Sequence, residues 1–146
     1  MEARSERKDG VLIFFVEGRL DAFGAQQLDT WAREALHDDD RELVIDLAGS
    51  AYLSSGGIRT FNGLKREMKR RNGRLALSNV GEYPLKVLDM AGFTSVFDIF
   101  PTTEEAVRGI ALKRKNPSLF NEIFYKKIVG EGVSLTIEPG WMTTPP

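Results

Sequence analysis

Short apolar runs alternate with stretches of helical period along most of this chain, and that alternation limits its fold more than any other feature. The runs are "VLIFFVEG" (residues 11–18), "LVIDLA" (43–48), "RLALSN" (74–79) and "SVFDIF" (95–100). Runs of this length, rich in branched and aromatic residues and bounded by turn residues, read as buried strands. Between them the period changes. Leu28, Trp31, Ala32, Ala35 and Leu36 share one helical face, as do Ile58, Phe61, Leu64 and Met68, and then Leu85, Leu88 and Ala91. Asn72-Gly73 and Gly92 supply helix stops, and Pro84 suits a first helical turn. Thr102 and Glu105 form a capping box that opens a last helix with Ala106 and Ile110 inward. The alternation predicts an α/β domain around a largely parallel sheet, joined by right-handed crossovers.

With 146 residues, the chain is long enough for one real core and too short for two. The net charge of −1 argues against a dedicated nucleic-acid or membrane binder. No cysteine is present, which excludes disulfides and thiolate metal sites and fits a cytoplasmic protein. The start, "MEARSERKDG", lacks the apolar core of a signal peptide, and residues 1–9 are expected to be disordered. The longest apolar run has six residues, against the roughly 20 that span a bilayer.

"AYLSSGGIRTF" (residues 51–61) is the segment with chemistry to explain. It follows a strand's carboxyl end, where open α/β sheets meet ligands and partners. One reading is structural: Ser54 or Ser55 caps the next helix and the glycines permit a tight turn. A catalytic serine needs a base, and the single histidine, His37, lies before the strand whose far end carries the serines. Crossing about five residues at roughly 3.3 Å each puts it some 15 Å away. Lys65 stands ten residues beyond Ser55 along the helix, again about 15 Å. Neither can activate the hydroxyl. A phosphate-binding loop is opposed by the absence of the lysine such loops carry. "DDD" at 38–40 reads as a solvated turn rather than a metal site. Arg59, Lys65, Arg66, Lys69 and Arg70 read as a solvated basic face that can help meet an acidic partner. A modification site remains: a phosphate at a helix start would be accepted by the fold, yet its charge of about −1.5 to −2 would repel a docked partner.

Taken together, these segments resemble the STAS domains (sulfate transporter and anti-sigma factor antagonist). "GRLDAFGAQQLDTWAREAL" is similar to the family's opening strand-to-helix segment. "LVIDLAGSAYLSSGGIRTF" is similar to its central motif, an Asp-Ser-Ser-Gly loop after a strand reading apolar-Asp-Leu. "NGRLALSNVGEYPLKVLDMAGFTSVFDIFPTTEEAV" looks like the remainder. The resemblance implies a STAS-like fold over residues 10–111, with a central mixed sheet of four to five strands and flanking helices. It implies a non-enzymatic, cofactor-free anti-sigma factor antagonist. The implied partner is an anti-sigma factor that is itself a serine kinase, opposed by a phosphatase. Carried onto this chain, the phosphorylated residue is Ser55, with Ser54 the lesser candidate. The partner-binding set is Asp21, Leu53, Ser54, Ser55, Gly56, Gly57 and Arg59. Ser55 is expected to be exposed within a residue of a helix start.

One position departs from the pattern: Leu53 stands where the family's loop carries its acid. That favours an alternative, a non-switching STAS subunit that scaffolds a signalling complex or binds a transporter ATPase. Residues 112–146 fall outside the resemblance. "LKRKN" reads as a polar linker, Leu119, Phe120, Ile123 and Phe124 as a helical face, and "VSLTIE" as a short strand. An apolar face of that kind is expected to pack on the core or across a homodimer that exchanges the segment.

Overall fold

The computed structural model describes residues 1–119. A five-stranded sheet runs in the order β1 (Glu2–Lys8), β2 (Val11–Glu17), β3 (Glu42–Gly49), β4 (Arg74–Ser78) and β5 (Asp98–Phe100). Four helices accompany it: α1 (Ala22–Ala35), α2 (Ser55–Arg70), α3 (Glu82–Met90) and α4 (Thr103–Lys115). β2 to β5 are parallel and β1 is antiparallel to β2, so the sheet is mixed.

Each parallel strand is the immediate neighbour of the one before it. Right-handed crossovers repeated in one direction place all the connecting helices on the same face. The core divides accordingly. Leu12, Phe14, Leu43, Ile45, Leu75 and Leu77 pack with Leu28 of α1, Phe61 and Leu64 of α2 and Leu88 of α3. The alternate residues Ile13, Val44, Ala76 and Phe100 pack with Ala106, Val107 and Ile110 of α4 on the other side. β3, buried on both faces from Glu42 to Leu47, is the centre of the sheet.

Of residues 1–9, expected to be disordered, Glu2–Lys8 form β1 instead. Asp9 and Gly10 both hold positive φ, 53° and 79°, as a two-residue type I′ turn requires, and Asp-Gly is among the pairs that adopt it readily. Arg7 then bonds Asp40 at 2.6 Å and the Ala35 carbonyl at 3.0 Å, while the Arg4 guanidinium lies 4.0 Å from the Phe15 ring centre. The charges that suggested fraying are those of a protected edge strand.

A second correction concerns "LKRKN". Residues 112–115 are the last turns of α4, and Lys113 is buried with both Asp98 oxygens 3.1 Å from its ammonium. Arg114 pairs with Glu42 at 3.0 Å. This segment is part of the domain rather than a linker. The basic face of α2 is also less uniform than expected, because Lys65 donates to the Val96 carbonyl and lies 5.8 Å from the Phe97 ring centre. Phe120, Ile123, Phe124 and the "VSLTIE" segment lie outside the described residues.

Candidate functional site

The serine loop is built as an extension of the sheet. Beyond β2 and β3 the chains keep running side by side: Leu20 N–H donates to the Tyr52 carbonyl at 3.1 Å and Ser54 N–H to the Leu20 carbonyl at 2.9 Å. The two segments lead into α1 and α2, and each is capped by its own side chain. Asp21 Oδ1 accepts from Gly24 N–H at 2.8 Å, which starts α1. Ser54 Oγ accepts from Gly57 N–H at 3.3 Å, which starts α2. The same Ser54 hydroxyl donates to the Leu20 carbonyl at 2.8 Å. Its proton and a lone pair are both committed.

Ser55 is different. It is the first residue of α2 and is exposed. The structural role that either serine can fill falls to Ser54, and the Ser55 hydroxyl is left facing water. Arg59, one helical turn further along, is exposed as well.

The other members of the expected set divide by burial. Asp21 and Gly56 are half-buried; a side chain on Gly56 would lie 3.4 Å from Ala22 Cα, so the first turns of α1 and α2 touch. Leu53 is only 2% exposed, and Gly57 is buried above it. A Cβ on Gly57 would come within 2.4 Å of Leu53 Cδ1, so Gly57 is required by close packing. Leu53 and Gly57 therefore support the loop from beneath and cannot present side chains to a partner. The position that departs from the family pattern is an apolar plug under α2.

The structure adds neighbours that the sequence did not single out. Tyr52 stacks on Tyr83 with ring centres 5.9 Å apart and 14° between planes, and the Arg19 guanidinium lies 4.0 Å from the Tyr52 ring centre. Tyr83 is 51% exposed, and Phe23 in the first turn of α1 is 70% exposed. Aromatic and arginine side chains in such positions are the commonest anchors of protein interfaces. The available signal was Tyr52 and Tyr83 each falling in, or just after, a loop at a strand's carboxyl end.

Among the described residues neither His37 nor Lys65 is placed to act as a base for the serines. His37 precedes β3 and the serines follow it, and β3 has eight residues, so about 23 Å of strand separates them. Lys65 is held by Val96. The Asp46 carboxylate accepts from Ala48 N–H at 2.8 Å, Thr103 Oγ1 at 2.6 Å and Asn79 Nδ2 at 3.2 Å, tying β3 to β4 and the start of α4. A cleft of about 400 Å³ lined by Arg4, Phe15, Glu17 and Asp46 includes neither serine. Among the described residues no cluster of three or more His, Asp or Glu is placed to hold a metal, and no helix is long and apolar enough to cross a membrane.

Comparison with known proteins bears on the family and the fold. The family model for the STAS domain matches residues 2–106. The chain is 26% identical over 106 residues to the candidate anti-sigma factor antagonist BtrV of Bordetella bronchiseptica, covering 73% of this chain and 91% of that one. It is 28% identical over 96 residues to the anti-sigma-B factor antagonist of Bacillus subtilis, covering 64% and 84%. In fold it is similar to the crystal structure of an anti-sigma factor antagonist from Mycobacterium paratuberculosis. The TM-score is 0.68 at 23% identity, over 75% of this chain and 93% of that one.

Proposed function

The chain belongs to the STAS domain family, and from that premise we propose that it is an anti-sigma factor antagonist controlled by phosphorylation of Ser55. It acts in the cytoplasm by binding an anti-sigma factor, a serine kinase, and so frees the sigma factor. It catalyses nothing itself. One observation carries the choice of residue: of two adjacent serines, Ser54 is bonded on both sides of its hydroxyl while Ser55 is exposed at the first turn of α2. Arg59 follows one turn on in α2, and Tyr52 of the Arg19–Tyr52–Tyr83 stack stands three residues before Ser55, residue types common in interfaces. A phosphate there adds a charge of about −1.5 to −2 at an exposed helix start without disturbing the core. A phosphatase restores binding.

Leu53 favours a second reading. With Leu53 in place of the loop acid, the chain serves as a constant STAS subunit in a signalling or transporter assembly. Phosphosite mapping of protein recovered from the native cell, together with identification of what co-purifies, separates the two. Phosphate on Ser55 and a kinase-like anti-sigma factor in the eluate support the switch. An unmodified Ser55 with a transporter ATPase or scaffold proteins supports the alternative.

A further inference from the structure

Ser55 and Arg59 stand four residues apart in α2, on one side of the helix. Helical side chains lean toward the N-terminus, so a side chain as long as that of Arg59 can reach back over the turn that carries Ser55. Of the bases further along α2, Arg66 and Lys69 are exposed but lie two or more turns beyond Ser55, out of its reach. Arg70 and Arg71 both pair with Glu67, and Lys65 is bound to Val96. Arg59 is exposed and forms no ion pair among the described residues. An exposed arginine four residues after an exposed serine hydroxyl, with no ion pair among the described residues, suits a phosphate acceptor.

We propose that Arg59 is the internal counter-ion of a phosphate on Ser55, so that modification withdraws a docking cation as well as adding negative charge. The proposal rests on the Ser55 switch. In the modification, a nucleoside triphosphate supplied by the kinase gives up its γ-phosphoryl group. The bond from Ser55 Oγ to phosphorus forms, the bond to the bridging oxygen breaks, the nucleoside diphosphate departs and the hydroxyl proton passes to the kinase's base. In the free protein Arg59 can meet a partner's carboxylate. In the modified protein it turns to its own phosphate, and the partner loses an attractive contact where it also gains a repulsive one. The other charged groups at this end are Asp21 and Arg19 before α1 and Glu82 at the start of α3. Asp21 is engaged by Gly24 N–H, and Arg19 is stacked on Tyr52.

The test uses the full chain with phosphoserine installed at position 55 during synthesis, so no kinase is needed. The ³¹P resonance is followed through the second phosphate ionisation, about pH 6 in the absence of a partner. A nearby guanidinium favours the dianion, so Arg59→Gln is expected to raise the midpoint by ~0.3 pH unit or more. Arg19→Gln is expected to leave it in place. The difference between the parent and Arg59→Gln is expected to vanish in about 1 M salt, as it must for an exposed pair. An unchanged midpoint in Arg59→Gln, or an equal rise in Arg19→Gln, overturns the assignment. Amide spectra confirm that the variants are folded. Because the phosphate is installed chemically, a negative result rejects the pairing alone, while absence of Ser55 phosphorylation in the cell rejects the switch.

Discussion

Replacing Lys113 by methionine removes one member of the buried pair that fastens the end of α4 to β5. Asp98 and Lys113 are 7% and 5% exposed, and both carboxylate oxygens lie 3.1 Å from the ammonium. Breaking such a pair from one side costs about 3–5 kcal/mol, because the remaining charge is left without its partner in the interior. Lys65 and Arg74 also draw the Asp98 carboxyl downward, which places the expected loss near the lower bound, about 3 kcal/mol. At a urea slope of roughly 1.5 kcal/mol/M, the midpoint falls by about 2 M. Burial already raises the Asp98 pKa against the pull of Lys113, and without Lys113 it rises further. A carboxyl raised in the folded state destabilises at neutral pH and ceases to do so as pH falls through its folded value. The deficit is therefore expected to be largest near neutrality and to shrink in acid, and Asp98→Asn added to Lys113→Met is expected to recover part of it. Urea unfolding at two pH values measures both effects. A loss under about 1 kcal/mol with no pH dependence would refute the claim that residues 112–115 belong to the domain.

Ser54→Ala is expected to cost about 1–2 kcal/mol in thermal unfolding, since it removes a helix cap and a second hydrogen bond, whereas Ser55→Ala is expected to stay within about 0.5 kcal/mol. Asp46→Ala removes the acceptor shared by Ala48 N–H, Thr103 and Asn79, of which the last two keep contacts with Ser78 and with each other, and is expected to cost about 1–3 kcal/mol by the same measurement. Burial pushes the Asp40 carboxyl up, but bonds from Arg7 and the His37 N–H carry it below its ordinary value. Its contribution is thus present above about pH 4 and lost as pH falls below that. In Asp40→Asn the acid limb of the stability curve is expected to flatten, and amide exchange of β1 to quicken.

The sequence disclosed those elements whose burial is one-sided or complete. β2, β3 and β4 are apolar because the sheet is covered on both faces, and α2 shows a stripe because only one side of it is buried. β1 escaped notice because "EARSERK" is an edge strand, mostly exposed, and carries almost no apolar signal beyond Ala3. The last turns of α4 escaped because Lys113 and Arg114 spend their charge on Asp98 and Glu42, residues that only the parallel pairing brings near. At the site, strand-loop-helix order located the serines but did not distinguish them. That required the Leu20 carbonyl, 34 residues from Ser54 in sequence. Leu53 looked like a lost contact, and its burial under Gly57 is a tertiary fact with no local trace.

Titration calorimetry of the proposed anti-sigma factor partner against the unmodified chain and the chain phosphorylated at Ser55 tests the central claim most directly. The account predicts measurable binding by the unmodified protein and at least a roughly 100-fold loss on phosphorylation, the scale of a charge left unpaired within an interface. Ser55→Ala is predicted to bind like the parent. Equal affinity for the phosphorylated and unmodified forms would contradict the account.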